Sequence, residues 1–183
     1  MDYTSFSHGQ IHSKIWLCEE LEKFLPSESN LYILGSWYNT LGFMLLCRNP
    51  HNYKSITAID MDSTQEIADK LTNAWTFDPM IVKNVQADAS KCEFNDSKAV
   101  YINCSVEHFE NTEWFDNIPE GALICLQSIS ITDPEAPWLI RQPNATFDEF
   151  AKKYPVTNTL FSGTKRIQYS DWGYDRFMLI GYR

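Results

Sequence analysis

The segment 103–108, NCSVEH, concentrates an amide, a thiol, a hydroxyl, a carboxylate and an imidazole within six residues. Asn103 could hold an amine or hydroxyl nucleophile through its carbonyl oxygen. His108 or Glu107 could remove the proton, and an imidazole titrates nearer neutrality than a carboxylate. Both side chains could equally hydrogen-bond the loop backbone. Cys104 has no separate activating pair, which argues against a covalent nucleophile.

Further polar residues stand at or just beyond the ends of apolar, β-branched runs. They are Gly35-Ser36, Asp60, Asp88 and Gln127-Ser128. The runs predict strands at 31–34, 55–60, 80–86, 99–103 and 121–127. The carboxyl ends of parallel strands meet at one edge of a sheet, where ligands bind. We therefore expect one site there, with Gln127 and Ser128 facing the acceptor substrate.

Residues 31–48 are the stretch around which this prediction is organised. A short strand ends at Gly35-Ser36, and an apolar helix follows as far as Arg48. A helix that begins directly after a strand directs its first N–H groups, and its positive dipole end, at an anionic group such as a carboxylate. A side chain at position 35 would obstruct close approach of a ligand to the backbone.

The remaining pattern alternates helices with strands. Helices are predicted at residues 8–25, after the capping boxes Ser63-x-x-Glu66 and Thr146-x-x-Glu149, and around residues 112–116. In the second of these, Ile67, Leu71 and Trp75 recur every four residues. The last two strands, near 166–169 and 177–182, are too closely joined for a helical crossover. The pattern predicts an α/β fold with a mainly parallel sheet, helices on both faces and an antiparallel C-terminal hairpin.

Composition limits the function classes. The chain has 183 residues, 44% of them apolar, and a net charge of −9, which fits one domain, residues 1–183, with residues 1–30 as an N-terminal helical extension. The acidic balance disfavours extended nucleic-acid binding. No membrane span or signal peptide is recognisable, and five scattered cysteines fit a reduced cytoplasmic setting. His8 and His12 stand four apart without a third ligand, so no metal is expected.

The chain resembles class I S-adenosylmethionine-dependent methyltransferases in the order of three features. These are a glycine turn after strand one, an acid at the end of strand two and Asp88 after strand three. The resemblance covers nearly the whole chain after residue 30. The stretches GQIHSKIWLCEEL, NCSVEHF, LQS and DRFMLIG look like a group of small methyltransferases common in phage and bacterial genomes. This resemblance implies a Rossmann-like methyltransferase three-layer sandwich.

The same resemblance implies S-adenosylmethionine as cofactor and a role for each matching residue. Gly35, Ser36 and Trp37 would line its amino-acid end, and Asp60 would take the two ribose hydroxyls. Ala87 and Asp88 would border the adenine, and Asn103, Cys104 and Ser105 would border the methyl group. The family's first motif usually has two or three close glycines, whereas Ser36, Trp37 and Tyr38 follow Gly35 here. Trp37 or Tyr38 could form a cation–π contact with the sulfonium, or could belong to the core.

The expected function is transfer of a methyl group from S-adenosylmethionine to a small polar acceptor molecule. Two alternatives stay open. One is S-adenosylmethionine-dependent aminocarboxypropyl transfer or cyclisation, and the other is a non-catalytic interaction scaffold with the same fold. A nicotinamide-dependent oxidoreductase is disfavoured because no G-x-G-x-x-G follows strand one.

Overall fold

The computed structural model describes residues 3–73, 81–133 and 140–183. These residues form one seven-stranded mixed sheet. Its strands are β1 (Ser29–Leu34), β2 (Tyr53–Asp60), β3 (Ile81–Gln86), β4 (Val100–Asn103), β5 (Leu123–Ile129), β6 (Asn158–Gln168) and β7 (Gly173–Tyr182). The helices are α1 (His8–Leu21), α2 (Thr40–Arg48), α3 (Gln65–Asn73), α4 (Glu113–Asp116) and α5 (Phe147–Lys153).

The strand order is β3-β2-β1-β4-β5-β7-β6. Strands β1 to β5 are parallel to one another, and β7 inserts antiparallel between β5 and β6. The β6–β7 hairpin therefore closes one side of the sheet. The predicted fold class, with a mainly parallel sheet and an antiparallel C-terminal hairpin, is confirmed.

The helices cover both faces of the sheet, which gives three layers. Buried residues of α1 and α2 join the apolar side chains on one face, and those of α4 and α5 join the other. The first core contains Leu17, Leu21, Leu41, Leu45, Ile33, Ile102 and Cys125. The second contains Trp114, Phe115, Phe150, Leu34, Tyr101 and Ile124. Because both faces are covered, β4 and β5 are buried at every residue and have continuous apolar sequences instead of alternating ones.

Several element boundaries differ from the predicted ones. Helix α1 ends at Leu21, earlier than the predicted residue 25, and β6 and β7 are longer than the predicted strands. Trp75 and Met80, which the predictions included, lie outside the described residues. None of the described helices has the length and apolar character needed to cross a bilayer.

The capping predictions have mixed outcomes. The capping box at Thr146 is confirmed, because its hydroxyl accepts a hydrogen bond from the Glu149 N–H at 3.2 Å. The prediction of a capping box that begins at Ser63 is wrong by one residue. The first turn of α3 is instead anchored at Thr64, whose carbonyl accepts the N–H groups of Ile67 and Ala68.

The prediction of a helix directly after Gly35-Ser36 is also wrong. A loop of residues 35–39 separates β1 from α2, and three of its residues have positive φ: Gly35 (66°), Trp37 (51°) and Asn39 (53°). Such left-handed conformations interrupt a right-handed helix. Asn39 caps α2 instead, with its side-chain oxygen accepting the Gly42 N–H at 3.1 Å.

Asn39 is buried, and its side-chain amide also donates to the Asn84 side chain of β3 at 2.8 Å. We predict that Asn39→Ala lowers the free energy of unfolding by about 1–3 kcal/mol, because it removes the cap and places an alanine at positive φ. Urea denaturation measures this change. Asn95→Ala, at an exposed asparagine, is the control and should stay within about 0.5 kcal/mol of wild type. An equal loss in both variants would contradict the assignment.

Candidate active site

The register of the sheet brings the predicted polar positions to one edge. Leu34 pairs with Ile59, and Asp60 pairs with Gln86, so Gly35, Asp60 and Ala87 follow one another across β1, β2 and β3. On the other side of β1, Ile33 pairs with Ile102 and Asn103 pairs with Leu126. The ends of β4 and β5 therefore continue the same edge.

The loop after β1 is bonded to the end of β2. The N–H groups of Gly35 and Ser36 both donate to the Ile59 carbonyl, at 2.9 and 3.1 Å. The Trp37 N–H donates to Asp60 Oδ2 at 2.6 Å, and the Thr64 hydroxyl donates to the Trp37 carbonyl at 2.8 Å. The N–H groups of these three residues, which were expected to line the amino-acid end of the cofactor, are thus occupied within the protein.

Asp60 is half-buried at the end of β2. Its Oδ2 atom accepts the Trp37 N–H, and its Oδ1 atom accepts the Asp62 N–H at 2.9 Å. Burial raises the pKa of the Asp60 carboxyl, and the backbone hydrogen bonds partly oppose this. Each carboxylate oxygen can accept a second hydrogen bond. Asp60 can therefore receive two neighbouring hydroxyl groups without losing its present partners.

Ala87 and Asp88 follow β3 at the same edge. The Ala87 N–H donates to the Asp60 carbonyl at 2.9 Å, which joins the two strand ends. Asp88 Oδ1 accepts both the N–H and the hydroxyl of Ser90, and these hydrogen bonds hold the pKa of Asp88 below its ordinary value. An open groove of about 380 Å³ begins two residues further on, lined by residues 90–95 and Asn117.

The space above Gly35 is filled by side chains from the segment after β4. A methyl group placed on Gly35 would lie 2.9 Å from the Phe109 ring and 3.2 Å from the Ser105 hydroxyl. The Phe109 ring also packs against Trp114, with centroids 5.1 Å apart. Within the loop, Trp37 stacks on Tyr38 with centroids 5.1 Å apart. A ligand that approached the Gly35 backbone would have to move the Phe109 ring aside.

The segment after β4 carries buried polar groups. Asn103 Oδ1 accepts the Ser105 N–H at 3.0 Å, while Asn103 Nδ2 is buried without a partner among the described residues. Cys104 is buried, and its carbonyl accepts a hydrogen bond from Arg176 Nη2. An unpartnered buried amide is costly in a protein interior. Asn103 therefore has an unused donor next to the end of β1.

Glu107 forms a buried ion pair with Arg176 of β7. The Glu107 Oε1 atom lies 3.2 Å from Arg176 Nη1, and the two side chains are 2% and 3% exposed. Glu107 Oε2 and Arg176 Nε have no hydrogen-bond partner among the described residues. His108 Nε2 lies 3.9 Å from Glu107 Oε1 at the protein surface. The two predicted bases thus have different settings, one buried and ion-paired, the other accessible.

Gln127 and Ser128 are fully buried and lie on opposite faces of β5. Gln127 Nε2 donates to the Ser13 carbonyl of α1 at 3.1 Å, and Gln127 Oε1 has no partner among the described residues. The Ser128 hydroxyl accepts a hydrogen bond from Asn144 Nδ2 at 2.8 Å. Of the two, only Gln127 lies beneath α1.

Sequence analysis missed two residues of this edge, Lys14 and Arg176. Both are buried, at 5% and 2% exposure. Lysine and arginine usually indicate solvent-facing positions, so neither stood out. A signal was present for Arg176, since it directly precedes the predicted apolar strand 177–182.

Two histidines lie one turn apart at the start of α1. His8 and His12 are exposed, with ring centroids 4.1 Å apart. Among the described residues, no three His, Cys, Asp or Glu side chains cluster as a metal site would require.

The three-layer architecture, strand order and terminal hairpin define a Rossmann-like methyltransferase fold. Solved structures share it across most of their length. TehB from Haemophilus influenzae superposes with a TM-score of 0.68 at 12% identity, over 98% of this chain and 66% of that one. N-methyltransferase NodS from Bradyrhizobium japonicum WM9 superposes with a TM-score of 0.67 at 13% identity, over 96% and 97%.

A third structure was determined with ligands bound. Geranyl diphosphate C-methyltransferase from Streptomyces coelicolor A3(2), in complex with Mg²⁺, geranyl diphosphate and S-adenosyl-L-homocysteine, has a TM-score of 0.66 at 10% identity, over 95% of this chain and 77% of that one. No family model and no curated protein sequence matches this chain. At these identities the structural similarity establishes the fold.

The buried pair gives a testable prediction about stability. We expect Arg176→Met to lower the free energy of unfolding by about 3–5 kcal/mol, because it leaves Glu107 buried without a counter-charge. Guanidinium denaturation measures this loss. Arg166→Met removes an exposed ion pair with Asp175 in the same hairpin and should cost no more than about 1 kcal/mol. Similar losses in the two variants would contradict a special role for the buried pair.

Proposed function

We propose that this protein transfers a methyl group from S-adenosylmethionine to a small polar acceptor molecule. One observation carries the proposal. Gly35, Asp60, Ala87 and Asn103 stand at consecutive strand ends along one edge of a sheet with the methyltransferase strand order. Similar structures that are methyltransferases, one of them determined with S-adenosyl-L-homocysteine, support the same activity.

The residues present fit the cofactor. The Asp60 carboxylate retains acceptor capacity for two ribose hydroxyls, and Ala87 and Asp88 lie next to it for the adenine. The Gly35 backbone, Ser36 and Trp37 would border the amino-acid end. When bound, S-adenosylmethionine supplies a methyl group activated by the adjacent sulfonium.

The chain's own residues would position the acceptor and remove its proton. The oxygen of Asn103 already accepts the Ser105 N–H, so its unpartnered amide nitrogen is the group available at the end of β4. Proton removal falls to His108, which is accessible, since Glu107 is held by Arg176. Methyl transfer depends mainly on holding the reacting atoms in line.

The other transfer chemistry uses the same cofactor. Aminocarboxypropyl transfer or cyclisation breaks a different bond to sulfur and releases methylthioadenosine, whereas methyl transfer releases S-adenosylhomocysteine. Chromatography of the nucleoside product distinguishes them, and we expect S-adenosylhomocysteine.

A non-catalytic scaffold is favoured by a specific observation. The Phe109 ring occupies the space above Gly35, and the N–H groups of Gly35, Ser36 and Trp37 are already hydrogen-bonded. If this arrangement is permanent, neither form of the cofactor will bind. Titration with S-adenosylmethionine and S-adenosylhomocysteine therefore separates the scaffold from both enzymes.

Two finer expectations accompany the proposal. One is membership of the group of small phage and bacterial methyltransferases, which rests on the motifs quoted above. The other is a cytoplasmic location with a small-molecule substrate and without an extended nucleic-acid or membrane partner. Both stay predictions.

The central test is calorimetry with S-adenosylhomocysteine. We expect saturable binding to the wild type and a loss of about 1.5–3 kcal/mol in Asp60→Ala, because a charge-assisted hydrogen bond to the ribose disappears. Asp62→Ala, at the neighbouring exposed acid, is the control and should bind as the wild type does. Unchanged affinity in Asp60→Ala, or no binding to the wild type, contradicts the proposal.

The Phe109 ring supplies a second test of cofactor binding. We expect Phe109→Ala to bind S-adenosylhomocysteine several-fold more tightly, since the ring no longer has to leave its contact with Trp114. Phe6→Ala, at an exposed phenylalanine, should leave the affinity unchanged. Weaker binding in Phe109→Ala would show that the ring supports the site instead of obstructing it.

A further inference from the structure

A short stretch of chain ahead of α5, residues 141–144, is hydrogen-bonded to the segment that follows β4. We call it the strap. The N–H groups of Arg141 and Gln142 both donate to the Glu107 carbonyl, at 2.8 and 3.0 Å. The Gln142 side-chain amide donates to the Phe109 carbonyl at 3.2 Å. These three hydrogen bonds fix the backbone at Phe109 and two residues before it.

The other end of the strap is bonded to β5 and α5. Asn144 is fully buried, and its Nδ2 donates to the Ser128 hydroxyl of β5 at 2.8 Å and to the Gln142 carbonyl at 3.0 Å. The Lys153 ammonium of α5 donates to the Pro143 carbonyl at 2.9 Å. The strap therefore ties the segment after β4 to the body of the fold.

The Phe109 ring that the strap holds is confined on its core side. It packs against Trp114, which is fully buried, with centroids 5.1 Å apart. The Trp114 ring in turn contacts Phe115 and Tyr154, with centroids 5.9 and 5.5 Å away. Because this core is filled, the Phe109 ring cannot make room at Gly35 by sinking inward.

Two side chains of the same segment stand over Gly35. A Cβ placed on Gly35 would lie 2.9 Å from the Phe109 ring and 3.2 Å from the Ser105 hydroxyl. Ser105 and Phe109 lie on either side of Glu107, whose carbonyl accepts two hydrogen bonds from the strap. A ligand atom against the Gly35 backbone therefore requires the whole segment to shift, and the strap opposes that shift.

We propose that the strap is a gate, whose hydrogen bonds to the Glu107 and Phe109 carbonyls break when the amino-acid end of the cofactor enters at Gly35. The inference rests on the proposed function, since that function supplies the ligand. Gln142 is then a positioning residue that acts through Phe109. The closed arrangement reduces the apparent affinity, because only the open fraction of the protein binds.

The first arm of the test measures affinity for S-adenosylhomocysteine by calorimetry. Gln142→Met keeps the side-chain length and removes the donor to the Phe109 carbonyl. We expect it to bind about two- to tenfold more tightly than the wild type, the range for losing one neutral hydrogen bond from the closed state. Gln168→Met is the matched control and should leave the affinity unchanged, since that amide donates to carbonyls of the exposed β6–β7 turn.

A double variant separates the gate from a general loosening of the chain. We expect Gln142→Met to add no further affinity once Phe109→Ala is present, because no ring is then left for the strap to hold. Independent, additive gains from the two substitutions would contradict the coupling.

The second arm follows amide hydrogen exchange in the wild type by NMR. Saturating S-adenosylhomocysteine should accelerate exchange at the N–H groups of Arg141 and Gln142 several-fold, because they lose the Glu107 carbonyl. Methylthioadenosine, which lacks the amino-acid end, should not. The Ser130 N–H, bonded to the Asp175 carbonyl at 2.9 Å, is the control and should not accelerate with either ligand.

Unchanged or weaker affinity in Gln142→Met overturns the gate. So does binding of S-adenosylhomocysteine to the wild type without faster exchange at Arg141 and Gln142, since the Phe109 ring would then move alone. Both results leave the proposed function standing. If neither the wild type nor Gln142→Met binds S-adenosylhomocysteine, the proposed function is refuted and the gate with it.

Discussion

The hydrogen bonds between the loop after β1 and the end of β2 are the constraint on which this edge of the molecule depends. Two N–H groups converge on the Ile59 carbonyl, and a third meets the Asp60 carboxylate. They hold Trp37 and Asn39 in left-handed conformations that each cost about 1–2 kcal/mol in isolation. These hydrogen bonds fix the loop against β2 without the additional glycines that such loops commonly contain. Asp60 therefore stabilises the loop while it also faces the proposed ligand.

A second constraint operates on the other half of the edge. The Glu107–Arg176 pair connects the segment after β4 with β7, and Gln127 connects β5 with α1. The polar contacts there are made between elements that lie far apart in the chain, whereas those near Asp60 are made between neighbouring strands. The two halves of the edge are thus built differently, one from contacts between neighbouring strands and the other from contacts between elements distant in the chain.

Much of the fold could be predicted from the sequence, because strands buried on both faces have continuous apolar runs such as LICL in β5. The strand-end positions of Gly35, Asp60 and Asp88 followed from that pattern. The left-handed conformation of Trp37 could not, since a tryptophan carries no preference for it and only the tertiary hydrogen bonds impose it. Lys14 was missed for a related reason: an amphipathic helix pattern assigns lysine to solvent, and only the packed structure shows that α1 turns it inward.

The long separation between Glu107 and Arg176, 69 residues along the chain, has a consequence for biogenesis. A nascent chain emerges from its amino terminus, so β1 to β5 can pair before β7 has been synthesised. Until then, Glu107 lacks its counter-ion and the β5 edge is exposed. Docking of the final hairpin pairs Glu107 with Arg176 and covers the β5 edge in one step.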